Sequence, residues 1–174
     1  MSLFIDGFVA IRSFFEAGGN VLWAILLVTT LMWTLIIERL WYFKLELPGR
    51  VAAVQQAWDG RADTTSWYAK RIRDQMISEV SIEAHQSLLF IKTLMAVLPL
   101  LGLLGTVTGM VQVFNVMALT GTGNARLMAG GVSAATIPTM SGLVAALSGL
   151  YLATYLEQRA DAEVDRVADL LVRH

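Results

Sequence analysis

The chain has 174 residues, 56% of them hydrophobic and only 16% charged, well below the roughly 25% charged residues of an ordinary soluble domain. Its 13 basic and 14 acidic residues nearly cancel, so bulk electrostatics gives no reason to expect a nucleic-acid partner. There is no cysteine, and the two histidines, His85 and His174, are too few and too far apart for a metal site; disulfides, thiolate ligands and a cysteine nucleophile are excluded, and neither metal nor cofactor is expected.

Residues 1–20 place Phe4, Phe8, Ile11 and Phe15 at helical spacing. This predicts either an amphipathic helix on the outer membrane surface or one packed on a neighbouring subunit, with a turn at Gly18-Gly19. Residues 21–37, "VLWAILLVTTLMWTLII", are long and apolar enough for a first transmembrane helix, stopped by Glu38 and Arg39. Asp6, Arg12 and Glu16 precede it, and it lacks a basic leader and a small-residue cleavage site. It is therefore expected to remain as an anchor rather than be removed as a signal sequence.

Residues 38–93 are more polar. Pro48-Gly49 predicts a break, then a short helix around Val51–Trp58 ended by Asp59-Gly60. Asp63-Thr64-Thr65 supplies capping chemistry for a long helix, which nothing interrupts from Ser66 until Pro99. Ile72, Met76, Val80, Ala84 and Leu88 form its apolar stripe. Residues 94–119 make the second span, 120–127 a short outer loop, and 128–156 the third span. The tail, 157–174, continues as a helix with Leu156, Ala160, Val164, Val167 and Leu171 on one face. All 13 basic residues except Arg12 and Arg126 lie in 38–93 or in the tail. The positive-inside rule then puts the N-terminus outside, in the periplasm, and the long segment and the C-terminus in the cytoplasm. The fold class is an all-α membrane protein with three transmembrane helices, two of them extended into the cytoplasm, and membrane lipid as surroundings.

The spans differ in composition. Four of the seventeen residues in the first are Gly, Ala, Ser or Thr, against sixteen of twenty-nine in the third. Lipid has no use for such residues, which mark close backbone approach and interhelical hydrogen bonds. The first span is expected outermost and the other two inside. "PLLGLLGTVTGMV" sets Gly102, Gly105, Thr106 and Gly109 on one face of the second span. Thr136, Thr139, Gly142, Ala146, Gly149 and Ala153 do the same on the third. Pro99 and Pro138 are candidate kinks that free the carbonyls of Met95 and Ala134. These faces suit helix packing, and they also suit a polar wall. No span holds Asp, Glu, His, Lys or Arg, so a proton path here needs a carboxylate from another polypeptide. No nucleophile–base pair or phosphate loop suggests an enzyme.

"LPLLGLLGTVTGM", a short loop and then "TIPTMSGLVAAL" resemble the MotA/TolQ/ExbB proton-channel family over residues 96–156, and the size and three spans are most similar to ExbB. The resemblance implies a pentameric ring in the bacterial inner membrane around the single-span helices of an ExbD-like partner, which brings the proton-carrying aspartate. It further implies that proton flow energises a TonB-like protein and outer-membrane import. By position Thr106 and Thr139 match the family's pore threonines, with Thr136 beside them. Where many relatives carry a glutamate five residues before the second threonine, this chain has Ala134. A TolQ-like role in envelope maintenance, a passive channel and a membrane scaffold are the competing readings.

Overall fold

The computed structural model describes the backbone of residues 2–64, 66–120 and 125–171; the side chains of 1–8, 10, 11, 13, 15–18, 65, 120–127 and 172–174 lie outside the described set. Every element in it is helical: α1 (Ser2–Trp41), a five-residue π-helical segment (Tyr42–Glu46), α2 (Leu47–Asp59), α3 (Trp67–His85), α4 (Leu88–Thr120) and α5 (Ala125–Leu170). Stretches long and apolar enough to cross a membrane lie within Gly19–Asp59, Trp67–Leu119 and Met128–Leu170. The chain divides into two compact units, Met1–Met32 with Thr93–Gly149 and Trp33–Lys92 with Leu150–His174.

In the first unit, α1 changes direction at Gly19, whose φ of 66° and ψ of −165° interrupt an otherwise helical run. A side chain strongly disfavours this backbone conformation, so the expected turn falls on a residue that tolerates it. The apolar face expected at Phe4, Phe8, Ile11 and Phe15 lies outside the described side chains. Beyond the turn, Leu22, Ile25 and Met32 are buried while Trp23, Leu26, Leu27 and Leu31 are exposed, a one-sided helix. Thr29 and Thr30 donate to the carbonyls of Ile25 and Leu26, four residues back, a bond that a hydroxyl in apolar surroundings can make within its own helix.

The second unit has a conventional apolar core. Leu47, Val51 and Trp58 of α2, Ala69 and Val80 of α3, and Val167 and Leu171 at the α5 end are all buried together. The stripe expected along α3 is thus an intrachain contact: Val80, Ala84 and Leu88 are at most 4% exposed. The apolar face of the tail is buried too, with Leu156 and Ala160 at 1% and 0%. Polar ties flank this core, Lys92 Nζ to Glu157 Oε1 at 2.5 Å and His85 Nε2 to Asp161 Oδ1 at 3.0 Å.

Three expectations are corrected here. Pro48-Gly49 does not break the helix; α1 passes through the π-helical segment directly into α2, with Pro48 in the first turn of α2. Proline has no N–H for the carbonyl of Lys44, and the wider π turn, closed by the Leu47 N–H on the Tyr42 carbonyl, absorbs the mismatch. The capping residue of α3 is Ser66, whose Oγ accepts from the Ala69 N–H at 3.1 Å; Asp63 Oδ1 in turn accepts from the Ser66 N–H. The long helix expected from Ser66 to Pro99 is interrupted: α3 ends at His85, and α4 starts at Leu88 after Gln86 (ψ 140°) and Ser87 (φ 66°). Neither proline ends its helix, since Pro99 lies inside α4 and Pro138 inside α5.

Candidate functional site

The candidate site is the seam between α4 and α5 in the first unit, and it is built from missing side chains. A methyl group placed on Gly102 would lie 2.9 Å from Thr139 Cα and 3.0 Å from the Pro138 carbonyl oxygen. One on Gly105 would overlap the Pro138 ring, with Val21 of α1 at 3.3 Å. One on Gly109 would meet Ala135 Cβ at 2.7 Å, and one on Gly142 the Leu98 carbonyl oxygen at 2.5 Å. Gly149 gives the same close approach to Met32 of α1, whose Sδ would lie 2.6 Å from an added Cβ. Each of these five glycines faces a neighbouring helix within the same chain. Ala146 is half-buried on the same helix. The side chain that fills the space beside Gly105 is Pro138, itself fully buried.

The hydroxyls divide into two kinds. Thr106 donates to the Leu103 carbonyl at 2.7 Å, Thr136 to Ser133 at 2.8 Å, and Ser141 to Ile137 at 2.8 Å. Each stays within its own helix, the usual economy of a hydroxyl in apolar surroundings. Thr139 differs, because its hydroxyl crosses the seam to the Gly102 carbonyl at 2.9 Å. The absence of a side chain at Gly102 is what lets the two backbones come close enough for that bond. Thr139 and Thr106 are both half-buried, and Thr136 is exposed. The three threonines therefore share a neighbourhood without sharing a role: one is a clasp and two present their oxygens outward. Ala134 is half-buried and offers no titrating group.

A second polar constellation, in the other unit, is not visible in the sequence. Arg39 closes the first apolar stretch and is only 3% exposed. Its Nη1 donates to the Glu83 carbonyl at 3.1 Å, its Nη2 to Ser87 Oγ at 3.2 Å, and its guanidinium lies 5.0 Å over the Tyr42 ring. The Glu83 carboxylate takes both nitrogens of the Arg50 fork and the Tyr42 hydroxyl. That bonding to Arg50 holds the Glu83 carboxyl below its ordinary range. Burial, followed by the Glu83 charge, pushes the Tyr42 phenol up. A cavity of about 460 Å³ lined by Tyr42, Glu46, Gly49, Arg50, Glu83 and Gln86 adjoins the cluster. Among the described residues no group of three or more His, Asp or Glu side chains is placed to hold a metal ion.

The MotA/TolQ/ExbB proton channel family model matches residues 46–169. The chain belongs to this family. It is 42% identical over 76 residues to biopolymer transport protein ExbB-like 3 of Synechocystis sp., covering 40% of this chain and 36% of that protein. It is 36% identical over 81 residues to ExbB-like 1 of the same organism, covering 45% of this chain and 32% of the relative. The chain thus spans about a third of the length of these curated relatives. The family match takes in α2 to α5 and so the whole α4–α5 seam. For a multi-pass membrane protein of a proton channel family, that seam is where polar oxygens stand within otherwise apolar spans.

Proposed function

We propose that this chain is an ExbB-like subunit of a motor in the bacterial inner membrane driven by the proton-motive force. Several copies, five by family resemblance, form a ring around the single-span helix of an ExbD-like partner, and the complex drives a TonB-like protein in outer-membrane import. The observation that carries the reading is the polarity of the inner spans: hydroxyls and glycines throughout, without one ionisable side chain between residues 94–119 or 128–156. Such a wall can solvate a proton carrier but cannot be one, so the carboxylate belongs to the partner. One charge moved through 100 mV releases about 2.3 kcal/mol, enough for a few protons to do mechanical work on a second protein. The N-terminus is periplasmic and the C-terminus cytoplasmic in this reading, from the distribution of basic residues.

Within the ring, Thr106 and Thr136 line the pathway, and Thr139 both lines it and fixes its wall through Gly102. The test is proton-driven uptake in cells carrying the chain with its ExbD-like partner. Thr106→Val and Thr136→Val are expected to depress uptake with the ring intact by native mass. Normal uptake in both would remove the pathway role. A scaffold reading draws on the same Thr139–Gly102 bond and the same packed glycines; it predicts uptake indifferent to Thr106 and Thr136 and sensitive only to seam packing.

A further inference from the structure

The interruption between α3 and α4 has no local cause. "SIEAHQSLLFIK", residues 81–92, contains neither glycine nor proline, and most of it favours helix. Yet Gln86 adopts ψ 140° where a helix has about −42°, which turns the next peptide roughly half a revolution. Ser87 then sits at φ 66°, the only non-glycine with positive φ among the described residues. The Gln86 angles and the positive φ of Ser87 match those of a type II turn, whose second central residue favours glycine or asparagine. A serine there works against its own preference, so something outside the segment holds it.

What holds it is Arg39. In an uninterrupted helix the Glu83 carbonyl accepts the N–H of Ser87, four residues on. Here that carbonyl accepts Arg39 Nη1, and Ser87 Oγ accepts Nη2. The guanidinium occupies the hydrogen-bonding site that the continuous helix would use and grips the displaced residue as well. Glu83 is held a second way, since its carboxylate is bound by Arg50 and Tyr42. All three partners come from the α1 end, the π-helical segment and α2, so the first helix and its extension set the conformation of a joint 33 to 48 residues later.

We propose that residues 67–120 have two conformations, the interrupted one and an uninterrupted helix, and that Arg39 is the latch that selects the interruption. Withdrawal of Arg39 returns the Glu83 carbonyl to Ser87, and the helical preference of 81–92 closes the gap. The latch is a positioning device and carries no proton; it stands whether or not Thr106 and Thr136 line a proton path.

The chain has no cysteine, so spin labels go cleanly onto Asp74→Cys and Phe90→Cys, both exposed. The protein is reconstituted in lipid nanodiscs, with labelled copies diluted into unlabelled ones. An uninterrupted helix places the two Cα atoms about 24 Å apart, at 1.5 Å per residue. The label distances are calibrated on a rigid helical standard of that spacing. The expected result is one distance, distinct from that standard, shared by the unsubstituted joint and by Ser87→Gly. Arg39→Met and Ser87→Ala should each add a second population at the helical distance, and Ser87→Gly placed on Arg39→Met should return the balance toward the interruption by about tenfold, because glycine alone has no penalty at positive φ. Ser87→Ala keeps the buried Arg39 in place, so its result does not depend on Arg39→Met folding. A helical distance in the unsubstituted protein would overturn the proposal. So would a single unchanged distance in both Arg39→Met and Ser87→Ala.

Discussion

Each unit is held together internally, and the two do so by opposite means. Around Trp58 the helices are joined by large side chains that fill a core, with Leu47, Val80 and Val167 against it. Along the α4–α5 seam they are joined by the absence of side chains, and backbone touches backbone at Gly102 and Gly142. The first arrangement draws on the hydrophobic effect, which needs water as the alternative environment. The second works where the alternative is lipid, since close packing and hydrogen bonding still favour association there. The first should therefore break when atoms are removed, and the second when atoms are added.

The largest effect is expected from deletion in the core. Trp58→Ala should cost roughly 3–5 kcal/mol, read as a fall in the unfolding midpoint of the purified protein; loss below 1 kcal/mol would mean the cluster is not a core. Addition at the seam comes next. Gly105→Ala forces a methyl group into the Pro138 ring and should cost roughly 1–3 kcal/mol, whereas Gly130→Ala, with open space around it, should cost little. Equal tolerance at the two glycines would erase the contrast between the units.

A smaller effect separates the clasp from the outward oxygens. Thr139→Val keeps the shape and removes the bond to Gly102, at about 0.6 kcal/mol for an interhelical bond of this type. Thr106→Val removes only a bond within its own helix and should leave the midpoint almost unchanged. The reverse order would assign the clasp to the wrong threonine.

The smallest effect is a pH dependence confined to the charged unit. Glu83 is held below its ordinary value of 4.5, chiefly by hydrogen bonding to Arg50. Its stabilising contribution is therefore complete above that value and is lost as pH falls through the lower, folded-state value. Glu83→Gln should flatten this acid limb of the midpoint-versus-pH curve, and an unaltered limb would show that the pair contributes nothing measurable. The seam offers no ionisable side chain to give a matching limb.

The sequence made the seam more legible than the charged unit. Glycines at three- and four-residue spacing announce close approach before any partner helix is known, and the long charge-free runs announce the spans. In the sequence Pro138 is legible only as a missing N–H; that its ring fills the space opposite Gly105 requires both helices. In the charged unit, Arg39 reads from the sequence as the charge that stops a membrane span, and nothing near it points to Glu83 or Ser87, forty-four and forty-eight residues away. The interruption at Gln86-Ser87 is illegible in the sequence for the same reason, because local preference favours helix there and the guanidinium bound at the joint comes from a distant residue. Pro48-Gly49 carried the opposite error: a strong local breaker was absorbed by five residues of wider helix.

The hydroxyl inventory of the seam has one further consequence. Thr106, Thr136 and Thr139 have each already given their hydrogen to a backbone carbonyl. What remains on each oxygen is lone pairs, so the surface can receive a hydrogen bond but has none to offer. A visiting water or a protonated acid finds a match there, while a bare carboxylate meets only other acceptors. In this arrangement the wall favours any guest that brings its own hydrogen.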